Sequence, residues 1–586
     1  MAALPPIAGA FGRPRQGAPQ PGAGRRLRPG PEVLLLAALG AYVLGLCVLP
    51  LLQLLATLFA GGLAEGAGFV WQVWTSRAAW TATLNTLDAA LWSTALSVAL
   101  GGGMALLVGL TDLRGKVVLV FLLILPLLIP PQISALAWMA LVGPSSALWA
   151  LPGLEGFRPQ RNPLLGREGV ILVMGVEHAP MVFLALRAGL RALPGDLIDA
   201  ARAAGSRPAG VVARIVLPLM WPALAAGAAL AFVSAIGNFG VPALLGIPGR
   251  FPVLSTLIYQ RLSGFGPTAL PEVAALALIL ALIAAAGIAA QALALRRLAV
   301  ATDRSGASHR GFALGAARPW VGAGVWLLMA GVAILPLMAL LAAALVPSVG
   351  VALRPDSMTL ANLVHVVTEL SLTRRAFANS LTLAGLAAVL TLVAAVPLAW
   401  LAVRGYRAAR LLNLGADAPY VLPGIVLSIA LILTFLPPLP VLGISLYNTF
   451  WILLLAYLAR FFALALRPVA AALAQLDPAL EEAAQNAGAR SLRRLVTIVL
   501  PMVAPAVGAG AILVFLGAFS ELTVSALLWS RGNETVGVVV FSLQDEGRTT
   551  MAAAVSVWVL GVVLALAGLV SALARFLPEG VLPWQS

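Results

Sequence analysis

The 586-residue sequence has one cysteine, one lysine and three histidines, and only 10% of its residues are charged. Each scarcity closes off a class of chemistry. Cys47 alone cannot build a disulfide framework or a thiolate metal centre, and among Leu and Val it is expected to be a small buried hydrophobe. His178, His309 and His365 are too scattered for a zinc or haem spacing, so no metal site is expected. Lys116 follows Arg114-Gly115 outside any Gly-x-x-x-x-Gly frame, which leaves nothing to cradle ATP phosphates. Paired acids at useful spacing and a Ser/His/Asp set are also missing, so no catalytic residue is expected and the chain does not read as an enzyme.

Apolar residues, in contrast, make up 61% of the chain, and the mean hydropathy is +0.99. A bilayer core about 30 Å thick needs roughly 20 apolar residues per helix. Twelve such runs lie near 33–60, 83–110, 117–142, 169–190, 221–246, 272–295, 319–345, 378–403, 411–437, 447–467, 504–529 and 551–575. With the amino terminus placed inside, 25 of the 37 Lys and Arg residues fall on the cytoplasmic side, 11 outside, and Arg460 within a span. This is the positive-inside pattern of an inner-membrane protein with both termini cytoplasmic. The net charge of +15 therefore reports orientation in a bilayer, and nucleic acid is not expected as a partner. The run at 33–60 far exceeds the roughly 7–15 residues of a cleavable signal core, so it is expected to stay as a first helix. Residues 1–30, rich in Pro, Gly and Arg, read as a disordered basic cytoplasmic tail.

An internal repeat organises the rest. Asp199-Ala200-Ala201, Gly205, Ile215, Leu217 and Pro218 recur as Glu482-Ala483-Ala484, Gly488, Ile498, Leu500 and Pro501, each shifted by 283 positions (199 to 482). The same shift carries Ala243-Leu244-Leu245 onto Ala526-Leu527-Leu528, and Asn85-Thr86-Leu87 resembles Asn379-Ser380-Leu381. The expected fold is all-α: a first half over 31–295, a cytoplasmic linker over 296–318, and a second half over 319–586. Six spans per half return the chain to the same side, so the halves are parallel and both repeated loops face the cytoplasm. Within each loop a helix starts after Pro194-Gly195 or at Asp477-Pro478, carries acid in its first turn, and ends at Gly205 or Gly488. A short helix held across the cytoplasmic face results.

With this spacing the sequence resembles the permeases of type I ABC importers, whose EAA motif forms a coupling helix that docks on the nucleotide-binding subunit. The resemblance places docking on Asp199, Ala200, Ala201, Gly205, Glu482, Ala483, Ala484 and Gly488, with Asp199 departing from the Glu of the family pattern. It implies two ABC ATPase subunits that bring ATP and Mg, no cofactor in this chain, and a periplasmic binding protein seated on the outer loops near 143–168, 247–271, 346–376 and 530–550. In such importers the spans holding Asn238 and Glu521 line the central pathway, and Glu177 and Arg460 are further intramembrane polar residues expected there. An ion pair between Glu177 and Arg460 stays open, although the local register of 280 sets Arg460 opposite Pro180. The segments Phe239–Gly246, Ser520–Thr523 and Glu534–Val536 are similar to the ferric-iron permease branch, which implies iron as cargo, with thiamine, phosphonate or polyamine as alternatives. A proton-coupled secondary transporter is a more distant alternative, since it leaves the duplicated motif without a purpose.

Overall fold

Proline decides where these apolar runs stay straight. The computed structural model describes residues 31–150, 155–264, 269–298, 311–351, 353–440 and 443–573. The basic tail 1–30 and most of the linker 296–318 lie outside the described residues. The membrane-crossing helices are α1 (Glu32–Phe59), α3 (Arg77–Leu110), α6 (Arg167–Arg191), α8 (Pro208–Gly237), α10 (Ala269–Leu293), α11 (Gly315–Ala344), α13 (Ser371–Val403), α16 (Phe450–Leu473), α18 (Ser491–Phe519) and α20 (Thr549–Leu569). Two further runs are bent pairs: α4 (Lys116–Leu128) with a following helix that opens as α5 (Pro131–Val142), at 109°, and α14 (Arg407–Val421) with α15 (Gly424–Phe435), at 110°. Ten straight spans, or twelve with each bent pair counted as one, thus replace the twelve uniform runs. The bends follow from sequence: Ile129 and Leu422 are held extended by the Pro130 and Pro423 that follow them, and the next helix starts on that proline. Shorter helices are α2 (Leu63–Thr75), α7 (Gly195–Ala203), α9 (Leu254–Ser263), α12 (Ala361–Thr368), α17 (Pro478–Asn486) and α19 (Val536–Asp545).

Four Leu-Pro pairs leave a common mark. Before Pro50, Pro218, Pro336 and Pro501 the helix widens to a π-turn, with the N–H of Leu49, Leu217, Leu335 and Leu500 reaching back five residues. The proline ring cannot sit against the carbonyl four residues back, and a π-turn relieves that clash while keeping the helix continuous. As a result α8 and α18 begin at Pro208 and Ser491, well before 221 and 504. They end early as well, at Gly237 and Phe519.

Each half is built on three mutually packed helices, α3–α6–α8 and α13–α16–α18. The first helix of each half crosses over. Helix α1 packs on α14, α15 and α16 of the second half, and α11 packs on α4 and α5 of the first. The parallel halves are therefore interlocked rather than separate modules. The Tyr42 ring lies 4.7 Å from that of Phe462, and its hydroxyl donates to the Leu458 carbonyl at 2.8 Å. Tyr42→Phe is expected to cost about 0.5–1.5 kcal/mol, the worth of one hydrogen bond, and Tyr42→Ala about 3–5 kcal/mol by emptying the ring's place. Thermal midpoints in detergent check this order.

Candidate functional site: the paired docking helices and the intramembrane breaks

Both motif copies fold into the same object. Helix α7 rises from an extended Pro194, and α17 is capped by the Asp477 carboxylate, which accepts the Ala479 N–H at 2.9 Å. Both end in a Schellman turn. Gly205 donates to Arg202 and Ser206 to Ala201, both at 3.0 Å, while Gly488 donates to Gln485 at 3.0 Å and Ala489 to Ala484 at 2.9 Å. Gly205 and Gly488 have φ of 81° and 85°, the left-handed region that glycine enters without strain. A side-chain carbon added at either would meet nothing of this chain within 4 Å. Asp199, Ala200, Glu482 and Ala483 are exposed, whereas Ala201 and Ala484 are half-buried against the helices behind. The motif reading missed Leu197 and Leu480. They are 44% and 46% exposed, stand 283 residues apart (197 to 480), and form the apolar tip of each helix. The same register shift could have found them.

The supports beneath the two helices differ. Ile198 of α7 is fully buried in an apolar cluster with Leu110, Leu113, Leu190, Leu193 and Val211. Its register equivalent on α17 is Glu481, which accepts from Trp400 Nε1 at 2.9 Å and pairs with Arg404. The Arg404 guanidinium stacks 3.9 Å from the Trp400 ring centroid and lies 3.9 Å from Glu32 at the start of α1. Glu32 in turn accepts from the Tyr406 and Ser491 hydroxyls, and Arg494 donates to Gln485 at 2.8 Å. Helix α7 thus rests on hydrocarbon and α17 on a chain of charges that includes the crossed-over α1. Glu481→Ala is expected to raise amide hydrogen exchange across 478–486 and leave 195–203 unchanged. Unaltered protection in both segments would mean that the ionic support is dispensable.

The intramembrane polar residues gather where α8 and α18 break. Asn238 Oδ1 accepts the Val241 N–H at 3.1 Å, and its equivalent Glu521 accepts the Val524 N–H at 2.7 Å. Each side chain caps the turn that follows the break, so both are positioned by the backbone groups that the break exposes. The Asn238 amide also donates to the Glu177 carboxylate at 3.2 and 3.3 Å, and Glu177 lies 3.8 Å from His178 Nε2. In the second half the residue 280 positions on from Glu177 is Tyr457, fully buried, with Glu521 and Ser525 as polar neighbours. The acid has changed sides of the pair between the halves.

Arg460 is not paired with Glu177. It donates to the carbonyls of Pro419 and Leu422, the groups left open by the α14–α15 bend, while its charge falls on Glu521. Glu177 instead borders an apolar cleft under the crossed-over α11, lined by Leu125, Pro126, Trp138 and Pro336. The four residues expected along a pathway are thus brought together in pairs within each half, with their hydrogen bonds directed at the breaks. Arg460→Met is expected to destabilise the chain by about 1–3 kcal/mol, since two carbonyls opened by the bend lose their donor, as a detergent melting curve can read.

Among the described residues no three His, Cys, Asp or Glu side chains converge as a metal site. Residues 97–300 and 392–578 match the family described as binding-protein-dependent transport system inner membrane component, once in each half. The chain is 28% identical over 430 residues to a probable ABC transporter permease protein of Sinorhizobium fredii, covering 71% of this chain and 73% of that one. It is 26% identical over 475 residues to an Fe(3+)-transport system permease protein of Haemophilus influenzae, covering 79% and 84%. A molybdenum transport system permease protein of Mycobacterium tuberculosis is 30% identical over 172 residues, 29% of this chain and 63% of that one. Two matched segments, two equivalent copies of the motif helix and a multi-pass helical fold agree: the chain belongs to the family of binding-protein-dependent transport system inner membrane components, as a fused, double-length permease of the type I ABC importers.

Proposed function

We propose that this permease imports ferric iron handed over by a periplasmic binding protein, driven by two ATPase subunits docked on α7 and α17. The observation that carries the docking reading is the duplicated helix with an exposed Leu tip and an open glycine turn, Leu197 with Gly205 and Leu480 with Gly488. A small apolar knob flanked by Asp199 or Glu482 suits a groove on a partner, because its burial releases water while the rim acid sets orientation. The loops that hold α7 and α17 face the cytoplasm on this reading, and the turns around α9 and α19 face outward. Closure of the ATPases brings α7 and α17 together, and the packed helices turn that approach into a rocking of the halves.

Iron as cargo is supported by extent of likeness. The iron-named relative aligns along both halves, whereas the molybdenum-named relative covers 172 residues, within a single half's length. Selectivity rests with the binding protein on this reading, so the permease needs no ligand set of its own.

Two measurements test the proposal. Leu197→Arg with Leu480→Arg is expected to leave the permease monodisperse and to weaken ATPase co-purification roughly tenfold or more per site, about 1.4 kcal/mol of lost contact. Undiminished co-purification refutes docking through these tips. For the cargo, radiolabelled ferric iron is offered to cells that lack their own ferric permease and express this chain with its ATPase and binding protein. Accumulation of iron is expected; accumulation of molybdate in its place overturns the assignment while leaving the importer class intact.

A further inference from the structure

Besides the crossed-over helices, the halves also meet on the face opposite the docking helices. Phe239, just past the end of α8, and Tyr259 on α9 belong to the first half, and Phe541 on α19 belongs to the second. Their rings form a closed triangle, with centroids 5.2 Å apart for Phe239–Tyr259, 6.0 Å for Phe239–Phe541 and 5.7 Å for Tyr259–Phe541. Phe239 is fully buried and Phe541 is 6% exposed. The backbones are as tight as the rings. A methyl group placed on Gly240 would stand 3.2 Å from the Gln132 nitrogen, and one on Gly537 would stand 3.2 Å from Gln132 Nε2. Gln132, at the start of α5, is therefore wedged between a glycine of each half.

Each ring is fastened to its own half. Asn85 of α3 donates to the Pro252 carbonyl at 2.8 Å, and Thr86 accepts the first N–H of α9, from Leu254, at 2.9 Å. In the second half Asn379 of α13 donates to the Gly532 and Glu534 carbonyls at 3.0 Å, and Ser380 accepts the Val536 N–H at 2.9 Å. The repeated Asn-Thr/Ser pair is thus a clamp that holds α9 on α3 and α19 on α13. When the halves separate, Tyr259 must go with one and Phe541 with the other.

Tyr259 and Phe541 occupy equivalent positions. The clamps set Pro252 opposite Glu534 and Leu254 opposite Val536, a shift of 282 (252 to 534, 254 to 536), and the same shift carries Tyr259 onto Phe541. The two rings therefore meet across the pseudo-twofold, whereas Phe239, whose equivalent is Leu522 (239 to 522), has an aliphatic counterpart.

We infer that Tyr259 and Phe541 together form the stopper of the outer gate, meeting each other and Phe239 while the docking side is open and withdrawing with α9 and α19 when the halves part on the outside. This rests on the importer reading proposed above. The seal joins equivalent positions of the two halves, so loss of either ring opens it.

The test uses the full chain with Cys47→Ala, carrying Tyr259→Cys and Phe541→Cys. A short bis-maleimide is expected to join the two positions in the permease alone, seen as one band after proteolytic cleavage between the halves. In the ATPase-bound complex trapped with ATP and vanadate the yield is expected to fall at least several-fold. Absence of the cross-link in the permease alone overturns the contact. A yield unchanged in a trapped complex overturns the gate and spares the importer reading, whereas failure of any ATPase to bind defeats that reading and the gate with it. Independently, Phe541→Ala in liposomes is expected to raise leakage of a small entrapped dye several-fold, with gel filtration confirming the fold; wild-type leakage from well-folded variant refutes the stopper.

Discussion

A helix that breaks inside a bilayer has no water to satisfy the backbone groups it uncovers, and the arrangement of this protein follows from that constraint. Breaks occur at the α4–α5 and α14–α15 bends and at the ends of α8 and α18. Asn238 and Glu521 supply acceptors to the N–H groups after their breaks, and Arg460 supplies donors to the carbonyls of Pro419 and Leu422. Intramembrane polarity here is first a consequence of interrupted helices. The remaining polar groups are held at the same breaks: Glu177 accepts from Asn238, and Arg460 is fixed by the carbonyls of the bend.

Duplication preserved geometry more strictly than chemistry. The Schellman ends, the π-turns at Val212–Val216 and Leu495–Val499, and the clamps from Asn85 and Asn379 all recur in register. Side chains that only fill space or carry charge have diverged: Ile198 became Glu481, Glu177 became Tyr457, and Phe239 became Leu522. A backbone hydrogen-bond pattern tolerates few residue types at a cap or a left-handed turn, whereas a buried position tolerates any group that finds a matching environment. Helices α7 and α17 therefore have equal shape and unequal support. Loss of charge at Glu32 or Arg404 touches the second and not the first.

Much of this was legible in the sequence because it depends on local pattern. Apolar runs located every span, and the acid-Ala-Ala-Gly spacing located α7 and α17 and the glycine turns that end them. Helix ends were misplaced where composition stays apolar through a break: Phe239–Gly246 reads as continued span, but Asn238 and Pro242 stop the regular α-helix before it. The bends were missed for a similar reason, since Pro130 and Pro423 sit inside unbroken hydrophobic runs. Pairing across elements was less accessible still. Arg460 and Glu177 are the conspicuous opposite charges of equivalent helices, yet each meets a nearer partner, and the 280-residue register spoke only against their pairing, by setting Arg460 opposite Pro180.

On the importer reading proposed above, the breaks also bear on the outer contact. Helix α8 runs 30 residues from Pro208 to Gly237, about 45 Å at 1.5 Å per residue, and packs on α3 and α6, so it belongs to one body with its half. The regular helix stops at Gly237, and Asn238, held by Glu177, turns the chain before Phe239. The Phe239 ring is thus carried by the segment after the break, against Tyr259 and Phe541. The backbone interruption that placed polar side chains in the membrane therefore also sets where the aromatic contact lies.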